Sequence, residues 1–268
     1  MRGGGARGSA LRVLRGVEVR GVFADELLRV ELARLAGEAE RALATELTYG
    51  VLRWRKRLDW VIRSHSARSV ERMTPWIRNI LRMGVYQLCF LDRVPDYAAV
   101  DEGVKLARRY GHEGTARLVN AVLRSVARAG GELSFPDGLD ALERMGVEYS
   151  HPRWIVARWV DRYGMERARE ILAADNRVPP VTIRVNRLAV ERVELLNRLE
   201  RDGLNVSACE YAPEGLRLGH HHVGVWELPG FRDGLFQMQD EGSMLVVHLV
   251  GALPGMRVLD CCAGAGIK

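Results

Sequence analysis

The residues with the clearest chemical potential stand in the stretch Gly255 to Lys268. Met256 to Leu259 is a short apolar run around Arg257 and reads as a buried strand, closed by Asp260. Cys261, Cys262, Ala263, Gly264, Ala265 and Gly266 form a loop of small residues, followed by Ile267 and Lys268. Small residues let a backbone approach a ligand closely, and glycine takes positive φ without strain. A strand, a glycine-rich turn and a helix with free N–H groups make a nucleotide-type site. The helix would begin at Lys268. Alone, such a turn is a weak signal, open to any dinucleotide or methyl-donor site.

Other candidate sites are weaker. His220, His221 and His222 are adjacent, so they cannot converge on one metal ion from an extended loop, and a solvated loop is expected. Cys89 and Cys209 sit in apolar contexts and read as packing residues. Cys261 and Cys262 lack metal-site spacing, and four cysteines in all give no disulfide framework. His151 reads as a local hydrogen-bond partner near a helix start. Arg184 and Asn186 alternate with Ile183 and Val185 and so share one sheet face, either solvated or beside an RNA path.

Composition sets the class. The 268 residues are 47% hydrophobic and 28% charged, ordinary for a globular protein of one large or two small domains. No apolar run reaches the roughly 18 residues of a membrane span. Residues 1–8 have charge without an apolar core, so they read as a frayed tail and not a secretory signal. The sparse cysteines fit a reducing cytoplasm. The net charge is +6, with 40 Lys and Arg that are nearly all Arg. Guanidinium forks match phosphate oxygens and stack on bases, which favours a nucleic-acid partner. A GC-rich genome that spells basic residues as Arg gives the same bias, so placement must decide.

From about Leu11 to Ala129 the chain reads as helix. Leu43, Leu47, Gly50, Val51, Trp54, Leu58 and Val61 form one apolar face, with Gly50 marking the close approach of a neighbouring helix. Ile77, Ile80, Leu81, Gly84, Val85, Leu88 and Leu91 form another, with Pro75 in the first turn. Asp96 reads as the cap of a third helix carrying Val100, Val104 and Ala107 and stopping at Gly111. A fourth buries Val119, Val122, Leu123 and Val126. Together they make a compact helical bundle over 9–130.

Residues 131–149 read as a linker with a short helix, and 150–239 as a small α+β segment. Ser150 is the expected N-cap of a helix ending at Gly164, followed by a second helix from Glu166 to Ala174. Val181 to Asn186, Val206 to Tyr211, Gly215 to Leu218 and Leu235 to Gln239 are strand candidates, and Val190 to Arg201 is a helix. Asp240 caps a helix that leads to the terminal strand, so 240–268 forms the start of a further domain.

Three basic clusters lie on the bundle: Arg53, Arg55, Lys56 and Arg57; Lys105, Arg108, Arg109 and His112; and Arg117, Arg124 and Arg128. A solvated surface explains any one of them. Three together, with few acids on those faces, favour phosphate contact.

Several of these segments, in fixed order, resemble the RsmB/Sun (Fmu) family of ribosomal RNA cytosine-5 methyltransferases. The runs Glu40 to Arg53, Ile80 to Leu88, Asp92 to Val100, Leu118 to Arg124, Ser150 to Trp154, Pro179 to Asn186 and Gln239 to Ser243 carry the likeness over nearly the whole chain. The family implies a multi-domain chain: an all-α NusB-like RNA-binding bundle, an α+β subdomain, then a Rossmann-type domain that binds S-adenosylmethionine. Its first donor motif reads Asp-Leu-Cys-Ala-Ala-Pro-Gly-Gly-Lys. Cys262, Ala263, Gly266 and Lys268 match it; Gly264 and Ala265 replace Ala-Pro, and Ile267 replaces the second Gly. A β-branched residue is strained wherever that position needs positive φ.

The resemblance implies that residues 262–268 line the donor loop. With ribosomal RNA as the partner that the resemblance implies, the basic clusters and the β-face residue make Arg53, Lys56, Arg57, Lys105, Arg108, Arg109, Arg117, Arg124 and Arg184 the expected RNA contacts. The family reaction adds a Cys thiolate to cytosine, methylates carbon 5 and then eliminates the enzyme, which is nucleophilic catalysis. That Cys and its base lie beyond Lys268, so no catalytic residue is expected here. The expectation is a monomeric cytoplasmic RNA binder, without metal or membrane, carrying the first strand of a truncated Rossmann-type domain and inactive alone. A stand-alone NusB-type antitermination module would leave everything after Ser150 unexplained. A dinucleotide-dependent oxidoreductase would need a ribose-binding acid about 20 residues beyond the turn.

Overall fold

The computed structural model describes residues 5–130, 134–219, 225–264 and 266–267. The chain forms two compact units that divide between Arg177 and Val178.

The first unit is helical. Helices α1 (Ala6–Arg20), α2 (Ala24–Leu32), α3 (Glu38–Arg53), α4 (Arg55–His65), α5 (Pro75–Phe90), α6 (Asp96–Tyr110) and α7 (Glu113–Arg128) form the bundle. α5 touches α1, α3, α4, α6 and α7. Its start follows from sequence: Thr74 accepts a hydrogen bond from the Ile77 amide at 3.4 Å, and Pro75 occupies the first turn, where its missing N–H costs nothing. Small residues set the helix spacing. A Cβ on Gly50 would lie 2.1 Å from the Tyr86 ring, and one on Gly84 would lie 2.6 Å from Leu123.

α5 is buried on all sides, so its polar residues need partners. Arg82 donates to both Asp59 oxygens at 2.7 and 2.8 Å and to Asn79 Oδ1 at 3.2 Å. Asn79 donates to Glu18 at 2.6 Å, and Arg78 pairs with the same carboxylate at 2.8 Å. One polar network therefore ties α1, α4 and α5 through the core.

Several expectations are corrected. Residues 6–8 belong to α1, with Ala6 and Gly8 buried, because this end of the helix packs against α3 and is no frayed tail. The apolar face from Leu43 to Val61 is split at Trp54, whose φ of −96° and ψ of 14° break the helix into α3 and α4. Asp96 is the first helical residue of α6 and Pro95 is its cap.

Ser150 does not cap its own helix. It holds φ 58° and turns its hydroxyl to accept from the Lys56 and Arg57 amides at 3.0 and 3.4 Å. It thus satisfies the otherwise orphaned N-terminus of α4 from across the fold, since Trp54 offers no side-chain cap there. Helices α8 (Ala141–Glu148) and α9 (Arg153–Asp175) complete this unit, with Pro152 as the cap of α9. α9 is two helices joined at Gly164, where φ is 76°, as the expected stop there requires. Residues 150–177 thus fold with the helical unit, because Val156, Ala168 and Leu172 bury against Met145 of α8.

The second unit is α+β. Strands β1 (Val181–Val185), β2 (Val206–Ala208), β3 (Gly215–Leu218) and β4 (Phe236–Met238) make an antiparallel sheet in the order β2-β3-β1-β4. Helix α10 (Arg192–Arg201) buries Leu195 and Leu199 against Ile183, Val185, Leu216 and Leu218. Helix α11 (Glu241–Val250) is capped by Asp240, which accepts from the Gly242 amide at 2.9 Å.

Beyond α11 the expected strand is absent. Residues 256–260 have no regular structure and are exposed, with Leu259 84% accessible. A parallel strand is stable only with ladder partners and covering helices. The described residues give this segment neither, so the first strand of a Rossmann-type domain does not form.

Truncation of Arg82 to Ala leaves the Asp59 carboxylate buried without its bidentate partner and should destabilise the bundle by about 3–5 kcal/mol. Joint replacement by Arg82→Met and Asp59→Leu should recover most of that loss. Urea denaturation followed by helical circular dichroism measures both; a loss below 1 kcal/mol for the single variant would show the network to be dispensable.

Candidate nucleic-acid interface

The strongest cationic surface is built by α7. Its inner face buries Val119, Val122, Leu123 and Val126 to 1% accessibility or less. That leaves Arg117, Ala121, Arg124 and Arg128 on the opposite face, all exposed. Their spacing forms a stripe about 16 Å long. No acid interrupts it, and none of the three arginines makes an ion pair among the described residues. The helix start is fixed by a capping box: His112 Nδ1 accepts from the Gly114 amide at 3.1 Å, and Thr115 Oγ1 accepts from the His112 amide at 2.9 Å. His112 is therefore the cap of α7.

The α6 cluster differs from expectation because acids do lie on its face. Lys105 pairs with Asp101 at 2.7 Å and Glu102 at 2.8 Å, and these partners raise its pKa above the ordinary lysine value. Arg108 pairs with Glu113 at 3.2 Å. Arg109 lies 5.5 Å from the Tyr110 ring centre and is otherwise exposed. The face is largely neutralised by its own helix and the next.

The cluster at the α3–α4 junction is structural. Lys56 pairs with Glu143 at 2.9 Å and so docks α8. Arg57 donates to the Glu148 carbonyl at 3.4 Å and lies over Trp54 and Phe90 at 5.5 and 5.3 Å. Burial pulls its pKa below the ordinary arginine value. Arg53 is half-buried. Sequence spacing placed these residues on one helix, but the break at Trp54 and the arrival of α8 turned Lys56 and Arg57 inward, while Arg55 stays exposed.

In the α+β unit, Arg184 stands opposite Gly215 and Gln237 in the sheet register. It borders a cavity of about 490 Å³ lined also by Asn186, Arg187, Glu214, Gln237 and His248. Buried Glu214 holds His248 Nε2 at 2.9 and 3.0 Å, a pair that sequence gave no signal for. Asn186 is committed to the local turn: it donates to the Gly234 carbonyl at 2.9 Å and accepts from the Leu188 amide at 3.2 Å. Arg184 makes no ion pair among the described residues and remains half-buried at the cavity edge.

The glycine-rich loop keeps its local shape and one long-range hydrogen bond, from the Gln237 side-chain amide to the Ile267 carbonyl at 3.1 Å. Asp260 accepts from the Cys262 amide at 2.9 Å, and the Gly266 amide donates to the Ala263 carbonyl at 2.8 Å. Gly264 and Gly266 take φ of 56° and 71°, as a tight turn requires. Ile267 does not take positive φ, so the strain expected of its branched side chain is absent here. Cys262, Ala263, Gly264, Gly266 and Ile267 are all exposed, and Ala265 and Lys268 lie outside the described residues. As folded, this loop does not fit a methyl donor, because it offers one wall and no enclosure. The histidine run 220–222 also lies outside the described residues.

Comparison with known proteins explains the order of the units. The NusB family model matches residues 5–128, and the RsmF/B-like methyltransferase ferredoxin-like domain matches residues 151–224. A Bacillus subtilis (strain 168) protein described as "Probable ribosomal RNA small subunit methyltransferase B" is 34% identical over 263 residues, 98% of this chain. Along nearly its whole length the chain is similar to the ribosomal RNA small subunit methyltransferase B proteins. Another relative, the ribosomal RNA small subunit methyltransferase B of Pseudomonas putida, is 35% identical over 232 residues, covering 86% of this chain and 51% of its own length. The chain spans about 58% of the Bacillus relative. The crystal structure of PH0851 superposes with a TM-score of 0.68 at 19% identity, over 93% of this chain and 56% of that one, and shares the fold.

The four cysteines divide by environment. Burial pushes the Cys89 thiol up to about 11, and burial also raises Cys209, whereas Cys261 and Cys262 are exposed. At pH 8 the thiolate fraction of Cys89 is therefore very small. A chromogenic disulfide reagent should titrate two thiols quickly and the other two only after denaturation. Four fast thiols would show the two buried sites to be open.

Proposed function

We propose that this chain is the RNA-binding portion of a methyltransferase that acts on carbon 5 of cytosine in ribosomal RNA, with S-adenosylmethionine as donor. The observation that carries the reading is the unpaired α7 stripe of Arg117, Arg124 and Arg128 on the NusB domain of a chain similar to the methyltransferase B proteins. Guanidinium groups in a row without acids suit successive backbone phosphates. Arg109 and Arg184 are secondary contacts, and Lys56 and Arg57 are withdrawn from that role by their structural partners. The RsmF/B-like segment at 151–224 favours this reading over an antitermination module, which has no use for it. Such a substrate places the work in the cytoplasm.

The donor side is supported by what α11 leaves uncovered. Only Met244 of that helix is buried, while Val246, Val247, Leu249 and Val250 are 43–86% accessible. Leu253, Met256, Val258 and Leu259 continue the apolar surface. A helix apolar on every side belongs inside a core. We assign this surface to packing against the additional residues that the longer relatives possess, with 262–268 as the donor loop once enclosed. S-adenosylmethionine would supply the methyl group there. Cys261 precedes that loop and Cys262 opens it, and neither is assigned as the nucleophile.

Joint substitution Arg117→Ala, Arg124→Ala, Arg128→Ala should weaken binding to ribosomal RNA hairpins and flatten the salt dependence of log K by about 2.7, at ~0.9 per phosphate contact. Filter binding between 50 and 200 mM salt, as working conditions on the order of those that release counterions, measures the slope. An unchanged slope removes the stripe from the interface. Incubated with small-subunit ribosomal RNA and labelled donor, this chain alone should transfer no label; radioactivity in the RNA would contradict the need for further residues.

A further inference from the structure

The first half of α9 carries a surface that the α7 stripe does not explain. The helix is anchored on its inner side by Val156, fully buried against Met145, Ala168 and Leu172. Its start is pinned by the His151 amide, which donates to the Gly146 carbonyl at 2.8 Å, and by Arg153, which pairs with Asp140 at 3.0 Å. Trp154 follows in the first turn and is 65% accessible. Tryptophan is highly buried on average, so a Trp left open on a firmly held helix is informative. Arg158 and Arg162, one and two turns further on, share its face and are exposed.

Both arginines of α9 beyond Gly164 are ion-paired, whereas, among the described residues, two of the three before it are not, Arg153 being the exception. Beyond Gly164, Arg167 pairs with Glu170, and Arg169 pairs with Glu166 at 2.7 Å. Before it, Arg158 and Arg162 make no ion pair among the described residues; Arg162 lies 5.4 Å from the Tyr163 ring centre. Asp161 also faces outward, so the patch carries one net positive charge around an aromatic ring. This is unlike the exposed surface of α11, which is aliphatic and has the character of a protein-packing face. A ring flanked by guanidinium groups complements a stacked base with its neighbouring phosphates.

We infer that Trp154, with Arg158 and Arg162, is a stacking platform for an unpaired nucleotide of the RNA substrate. Bases inside a duplex are already stacked on each other and offer no face to Trp154, so the platform selects single-stranded over paired RNA. Its modest charge means that stacking, more than counterion release, carries the contact. This inference rests on RNA being the partner, and it adds the form of RNA that this helix reads.

The test compares an unstructured 12-nucleotide RNA with the same strand annealed to its complement, using fluorescence anisotropy. Trp154→Ala should weaken single-strand binding about 5- to 150-fold, the range for loss of one base–aromatic stack. Duplex binding should stay within about twofold. Trp154→Phe, which keeps a ring, should retain most of the affinity. Arg158→Gln with Arg162→Gln should flatten the single-strand salt slope by about 1.4, at ~0.7 per contact. Unchanged thermal unfolding of Trp154→Ala confirms that it folds; were it to fail, the same comparison is made with Trp154→Phe and with Trp154→Leu, which keeps bulk without a ring. Single-strand binding undiminished by loss of the ring, or equal losses on duplex and single strand, overturns the platform alone. A wild-type chain that binds neither RNA overturns both the platform and the RNA reading beneath it.

Discussion

The position of α5 is the constraint on which the bundle depends. A helix touched by five others has no solvent face on which to place large or polar side chains. Two devices make that arrangement possible. Gly50 and Gly84 remove side chains where Tyr86 and Leu123 must enter, so helix axes approach more closely than alanine would allow. Arg82, Asn79 and Gln87, each buried, find internal partners in Asp59, Glu18, Arg7 and the Met83 carbonyl. Apolar burial supplies the drive, and the network, in which only Arg78 Nε lacks a hydrogen-bond partner, fixes which helices meet.

That packing decides which basic residues are available to a polyanion. The α7 stripe stays open because its helix buries only one face and, among the described residues, no acid pairs with the arginines of the other. Lys56 and Arg57 begin α4, where α8 and the Ser150 turn arrive, and they are consumed in holding those elements. Lys105 and Arg108 sit beside acids that neutralise them. An exposed ion pair contributes little to stability, but it lowers the local potential that would attract phosphate. Charge count alone therefore overstates the RNA-facing surface.

The carboxy-terminal loop shows how far a local motif can go without its surroundings. Gly264 and Gly266 take positive φ, and Asp260 bonds back to the Cys262 amide, so the turn chemistry is internal. Enclosure is not. A donor pocket needs neighbouring strands and helices to exclude water and direct the backbone N–H groups, and under the proposed function the exposed apolar surface of α11 is assigned to packing with them.

Sequence determined whatever depends on neighbours along the chain. Hydrophobic period placed α5 to α7 and α10, β-branched alternation placed β1, Gly164 marked the break in α9, and Asp240 marked the start of α11. The ordered motifs pointed to the family, and Gly50 announced a close helix approach. Tertiary structure alone decided the partners of side chains. It sent Ser150 to cap α4, turned Lys56 and Arg57 inward, left Met256 to Leu259 unpaired, joined Glu214 to His248, and kept Trp154 in the open. The reason is physical: a propensity or a turn acts within a few residues, whereas a hydrogen bond, an ion pair or a strand ladder needs a second group that only folding brings within reach.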